Sequence, residues 1–125
     1  TIVVIDDTTS ANLVLREVMK MAVPPGVELF FSTLAEFKTK DDILGTDERP
    51  VLLLCKDLRA ALSIVKSVPG IDKVNLGNLH YSAGKKEVSP SVFLDDKDMI
   101  MVNKIRNLGV SIDVKTVPTD MNARI

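Results

Sequence analysis

Short apolar runs alternate with longer stretches of helical spacing along the chain. Residues 1–5 (TIVVI) are apolar at every position but the first, as a strand buried inside a parallel sheet requires. From Ser10, which can act as a cap, Leu13, Val14, Val18 and Met21 recur at helical spacing and predict a helix to about Ala22. Pro24-Pro25-Gly26 ends it, because two prolines cannot continue a helix and glycine accepts the turn. Residues 27–31 read as a second strand. Thr33 with Glu36 three residues later forms a capping box for a second helix, ending near Leu44-Gly45, and the polar residues 45–50 loop out. Residues 51–55 (VLLLC), the most apolar run, make the third strand. Asp57 starts a helix through Ser67 with Leu58, Ala61, Leu62 and Val65 on one face. After Pro69-Gly70 come a more polar fourth strand at 71–76, a loop at 77–86 and a short fifth strand at 91–94. Asp95 caps a last helix to about Leu108, and Gly109 stands where a helix ends in the left-handed conformation. Residues 110–117 alternate as a sixth strand, which Pro118 closes.

The order β-α-β-α-β-α-β-β-α-β predicts an α/β fold: a mostly parallel central sheet with helices on both faces, a three-layer sandwich joined by right-handed crossovers. The 125 residues show no repeat, low-complexity stretch or linker, so 1–125 reads as a single domain. Sixteen basic against seventeen acidic residues leave a net charge of −1, which argues against a nucleic-acid partner. No apolar run approaches the ~20 residues that span a bilayer, and the opening on an apolar strand reads as a chain without a leader. The one cysteine, Cys55, and the one histidine, His80, provide neither an internal disulfide nor a metal cluster. The expectation is a cytosolic domain with no metal or cofactor.

In such sheets ligands bind beyond the carboxyl ends of the strands. That rule selects Asp6-Asp7, Ser32-Thr33, Lys56-Asp57 and Gly77-Asn78, each a polar pair after an apolar strand. Asp6-Asp7 has two readings. With Asp57 it resembles the Mg²⁺-binding acidic pocket of a response-regulator receiver domain; otherwise the pair orders the turn before a helix. Against the receiver, Lys56 competes with a cation, Gly77-Asn78 stands where the pattern wants a hydroxyl residue, and no Lys-Pro pair follows the fifth strand. His80 is a phosphoacceptor candidate or a solvated loop residue. Cys55 reads as a packed thiol, and Met19, Met21, Met99 and Met101 as core and edge filler. Lys85-Lys86 read as a solvated loop tip, or as contacts for phosphate or an acidic partner.

The strings MAVPPGVEL, VLLLCKDLRAALSIVK, VNLGNLHYSAGKKEVSPSVFLDDKD and NLGVSIDVKTVPTD together resemble the IIB subunit of the mannose/fructose/sorbose class of bacterial phosphotransferase systems. The pattern G-N-x-x-Y-x-x-G-[KR], then S-x-x-V-x-L-D, then V-P-T-[DE], carries the match by its order and spacing. The resemblance implies a phosphoryl carrier. It takes phosphate from a histidine of a IIA domain onto its own histidine and passes it to a sugar at the membrane subunits IIC and IID. It implies a cytoplasmic protein peripherally associated with the permease. A homo-oligomer stays open, as do two other functions: a receiver-like domain phosphorylated on Asp57, and a non-catalytic binding module of the same fold.

The family's acceptor histidine lies in a loop of the form R-[IL]-D-x-R-L-[IV]-H-G-Q after an additional first strand, and this pattern does not occur among the 125 residues. His80 falls on a variable x of the later loop and does not inherit the acceptor role. The resemblance implies that Asp6, Lys56, Asp57, Gly77 and Asn78 are neighbours of the phosphate. It also puts the additional strand in mid-sheet, between the third and fourth strands read above. Unpaired buried backbone groups cost about 1–3 kcal/mol each. Three arrangements therefore remain: a longer protein, direct pairing of the flanking strands, or a strand donated by another molecule.

Overall fold

A computed structural model describes residues 2–39 and 51–115. In chain order the elements are β1 (Ile2–Ile5), α1 (Asp7–Ala11), α2 (Leu13–Met21), β2 (Leu29–Ser32), α3 (Leu34–Thr39) and β3 (Leu52–Cys55). They continue with α4 (Leu58–Ser67), β4 (Lys73–Leu76), β5 (Lys86–Ser89), β6 (Val92–Leu94), α5 (Asp96–Asn107) and β7 (Ser111–Val114). The chain forms two compact units, one ending at Lys56 and the other beginning at Asp57.

The first unit holds a three-stranded sheet in the order β2-β1-β3, parallel throughout. Ile2 lies between Leu29 and Leu52, and Ile5 between Ser32 and Cys55. Val3, Val4 and Ile5 are buried, as expected for the middle strand of a parallel sheet. Phe37 of α3 is buried as well. β2 and β3 are the sheet's edges, and Leu52 and Leu54 of β3 are largely exposed.

The helix predicted from Ser10 is in fact two helices broken at Asn12, whose backbone is extended (φ −103°, ψ 100°). The Asn12 side chain accepts the Leu15 N–H at 3.0 Å and caps α2. Ser10 sits inside α1, and its Oγ is buried with no hydrogen-bond partner among the described residues. The run Asp6 to Asn12 is polar and short-chained, so side chains compete for backbone groups and favour caps over a continuous helix. The predicted inward face is also corrected: Leu13, Val14, Val18 and Met21 are 72, 75, 57 and 87% exposed. Met21 is thus not filler. α2 instead meets β2 through Arg16, whose guanidinium lies 5.0 Å from the Phe31 ring centre.

The second unit pairs β4 with β7 in parallel and β5 with β6 antiparallel. Leu58 and Leu62 of α4, Val102 and Ile105 of α5, and Leu76, Val92, Leu94, Val110 and Val114 form its core. Met99 and Met101 pack against that core as expected. Asp95 and Asp98 close a reciprocal capping box at the start of α5, and Gly109 has the left-handed φ of 85° that ends it. β5 is a strand where a loop end was expected, because K-E-V-S has no apolar alternation and is ordered by its pairing with β6. A register shift between Glu87 and Ser89 marks that pairing as irregular. The fourth predicted strand starts two residues later than read, at Lys73, and the sixth one later, at Ser111; the last two positions read for the sixth, 116–117, lie outside the described residues. The predicted helix beyond Thr39, the 45–50 loop and Pro118 lie outside the described residues.

Candidate functional site

Parallel strands deliver the selected polar pairs to their carboxyl ends, unit by unit. At the end of β1, Asp6 Oδ2 accepts the Thr9 hydroxyl at 2.7 Å. That bond is the main reason the Asp6 carboxyl lies below the usual aspartate range; partial burial opposes it, and the Lys56 charge at the end of β3 lowers it further. Asp7 Oδ1 accepts the Leu34 N–H at 3.0 Å and so ties α1 to the first turn of α3. Ser32 is buried and donates its hydroxyl to the Thr33 carbonyl at 2.8 Å. Thr33 Oγ1 accepts the Glu36 N–H at 3.1 Å, the cap expected there. The first unit therefore brings Asp6 under the influence of Lys56, with Asp7 engaged in structure.

The second unit begins with Asp57, which caps α4 by accepting the Ala60 N–H at 2.9 Å. At the carboxyl end of β4, Gly77 and Asn78 turn the chain. Asn78 has φ 55°, a left-handed conformation that asparagine tolerates better than most residues. Asn75, which sequence reasoning passed over, organises this turn. Its Nδ2 donates to the Lys115 carbonyl at 2.9 Å and its Oδ1 accepts the Lys115 N–H at 3.1 Å. An added Cβ on Gly77 would stand 3.1 Å from that same carbonyl, so the residue must be small. The available signal was an asparagine inside a strand, where its type is depleted.

The other candidates separate on the same grounds. Lys85 Nζ pairs with Asp98 at 3.0 Å and is not a free cation, whereas Lys86 begins β5 in the open. His80 is exposed between Leu79, whose carbonyl accepts the Phe93 N–H at 2.9 Å, and Tyr81, which stands edge-on to Phe93. Cys55 is half-buried. No group of three or more His, Cys, Asp or Glu among the described residues is placed to hold a metal ion. The carboxylates of the receiver reading are thus each engaged by a hydrogen bond, Asp6 and Asp57 locally by Thr9 and Ala60, and Asp7 by the distant Leu34 N–H.

The family model for the phosphotransferase system (PTS) sorbose subfamily IIB component matches residues 1–125. The chain belongs to that family. It is 31% identical over 120 residues to the N-acetylgalactosamine-specific phosphotransferase enzyme IIB component 2 of Escherichia coli (strain K12), covering 95% of this chain and 75% of that protein. The sorbose-specific EIIB component of Lacticaseibacillus casei is 23% identical, covering 99% of this chain and 76% of its own length. The chain thus spans about three quarters of these IIB relatives. Among solved structures, the N-acetylgalactosamine-specific IIB component 1 of Escherichia coli superposes with a TM-score of 0.87 at 27% identity, over 99% of this chain and 81% of that one. The IIB domain of the Klebsiella pneumoniae sorbose permease shares the fold, with a TM-score of 0.85 at 24% identity over 98% of this chain and 75% of that one. The α/β class with parallel strands is therefore that of IIB domains, and the chain is a IIB component of a sugar phosphotransferase system. The receiver alternative is not favoured.

Proposed function

We propose that this IIB component is a phosphoryl carrier, receiving phosphate from a histidine of a IIA partner and passing it to a sugar at the membrane subunits IIC and IID. The observation that carries the reading is the family match over all 125 residues. A mannose-specific EIIAB component of Escherichia coli (strain K12), 28% identical over 120 residues that make up 37% of it, supports a IIA partner by its name. Residues 1–125 act as one IIB-like domain, cytoplasmic and peripheral to the permease. No helix among the described residues is long and apolar enough to cross a membrane.

In the first transfer a neutral imidazole nitrogen attacks phosphorus and in the second a sugar hydroxyl oxygen does, its proton passing to solvent; in both, the donor P–N bond breaks and its electron pair returns to the donor ring. The protein's task is to position the phosphoryl group and stabilise its oxygens. The acceptor imidazole belongs to the family's R-[IL]-D-x-R-L-[IV]-H-G-Q loop and not to His80. In the second unit, backbone N–H groups at Gly77-Asn78 and at the Asp57 helix start are the donors offered to phosphate oxygens; in the first unit, Lys56 is the charge-neutralising candidate and Asp6 the loop-orienting one.

The test is phosphorylation of the full-length protein by its phosphorylated IIA partner, followed by stability analysis of the product. An acid-labile, base-stable phosphate is expected, with acceptance slowed about tenfold in Asn78→Ala, which keeps the N–H but adopts the left-handed φ of 55° that aims it at a cost of about 1–2 kcal/mol. Mg²⁺-dependent labelling by acetyl phosphate that disappears in Asp57→Asn overturns the carrier reading. Unchanged transfer in Asn78→Ala refutes the left-handed turn at Asn78 as the device that aims the N–H.

A further inference from the structure

We propose that Asn75 is a positioning residue that keeps the Asn78 N–H available to a phosphoryl oxygen by occupying the carbonyl that would otherwise take it. The inference rests on the Gly77-Asn78 site of the preceding section. It starts from the hydrogen-bond sequence of the β4–β7 ladder. Ser111 N–H donates to the Asp72 carbonyl at 2.9 Å, and four residues on Lys115 N–H donates to the Leu76 carbonyl at 3.2 Å. In a parallel ladder of this register the next rung runs from the Asn78 N–H to the Lys115 carbonyl. That rung is absent, and no acceptor for the Asn78 N–H occurs among the described residues.

Two local features replace it. The Asn75 carboxamide grips both backbone groups of Lys115: its Oδ1, at 3.1 Å, shares the Lys115 N–H with the Leu76 carbonyl, and its Nδ2 donates to the Lys115 carbonyl at 2.9 Å in place of the missing strand donor. Asn78 meanwhile turns to φ 55°, out of the extended conformation that would continue the ladder. Gly77 permits the close approach, since a Cβ there would press on the Lys115 carbonyl at 3.1 Å and on Asn75 Nδ2 at 3.6 Å. The result is an unpaired backbone donor, among the described residues, on an exposed residue at the carboxyl end of a parallel strand, where such sheets bind ligands. A donor already released from its ladder needs no reorganisation when an oxyanion arrives, which is the condition for effective charge stabilisation.

Asn75→Leu removes both arms of the grip at similar volume without adding charge. The Lys115 carbonyl then becomes free to recapture the Asn78 N–H. The first measurement follows the Asn78 amide resonance of the full-length protein during titration with inorganic phosphate. The native protein should show a saturable downfield shift, and Asn75→Leu should need about tenfold more phosphate or show none. The second measures phosphoryl acceptance from the IIA partner: kcat should fall about tenfold with KM for the partner unchanged, less than the roughly 100-fold that deleting an oxyanion donor outright costs. Should Asn75→Leu fail to fold, Asn75→Ser, too short to reach both Lys115 groups, takes its place with the same expectation. If the native Asn78 amide responds to phosphate and the variants respond equally, or lose thermal stability while kcat stays constant, the role of Asn75 is refuted and the site stands. If the native amide does not respond and Asn78→Ala transfers normally, the site itself is refuted and this inference with it.

Discussion

Asp98 is a buried charged side chain of the second unit, and its removal has a calculable cost. It is only 9% exposed at the start of α5. It accepts the Asp95 N–H at 3.0 Å and the Lys85 ammonium at 3.0 Å, while its own N–H donates to Asp95 Oδ1 at 2.8 Å. Replacing it by alanine deprives the Asp95 N–H of its acceptor, at about 1–3 kcal/mol. It also strands Lys85, whose side chain is 24% exposed. A fully buried broken pair costs about 3–5 kcal/mol and an exposed one about 0–1, so this partly shielded pair falls between. Together Asp98→Ala should lower unfolding free energy by about 2–4 kcal/mol in urea titrations at pH 7, a large share of a typical total of about 5–15 kcal/mol. A double-mutant cycle with Lys85→Met isolates the pair and should give a coupling of about 1–2 kcal/mol. The pH dependence has a fixed sign. Burial pushes the Asp98 carboxyl up, but the Asp95 N–H and the Lys85 charge outweigh it and hold the carboxyl below its ordinary value. A depressed folded value means the contribution is complete above the unfolded value, near 3.9, and is lost as pH falls through the folded one. The gap between the native protein and Asp98→Asn should therefore be constant from neutral pH to about pH 5 and narrow below about pH 4. A loss under about 1 kcal/mol for Asp98→Ala, or a gap that widens on acidification, contradicts the reasoning.

Three further outcomes follow from other contacts. Ile105→Ala empties a fully buried position in the core of the second unit and should cost about 2–5 kcal/mol by chemical denaturation, with a smaller loss showing that the site collapses around the cavity. Thr9→Val should raise the Asp6 carboxyl toward the ordinary aspartate value more than Lys56→Met does, because the hydroxyl bond is the larger influence; carboxyl titration by NMR ranks the two, and the reverse order refutes the assignment. Asn12→Ala should weaken α2 by about 0.5–2 kcal/mol, read as faster amide exchange confined to Leu13–Met21, while Ser10→Ala leaves that exchange unchanged.

Much of the architecture was legible in the residues because the signals are local. The apolar run of β1, the Pro-Pro-Gly break, the Asp57 and Asp95 caps and the left-handed Gly109 act within a few residues of themselves. The order and spacing of the G-N-x-x-Y-x-x-G-K segment with its flanks also indicated the IIB family, which the whole-chain match establishes. What failed was whatever depends on residues distant in sequence. Helical spacing in α2 marks an apolar stripe but cannot say whether anything covers it, and Leu13, Val14, Val18 and Met21 are exposed. β5 exists through β6, not through its own composition. Asn75 reads as an ordinary polar residue until the fold brings Lys115, forty positions later, within hydrogen-bond reach. Backbone preference and periodicity are written along the chain. The choice of which carbonyl takes which N–H at the end of β4 is made only when two strands meet, because a hydrogen bond is decided by distance and direction in space.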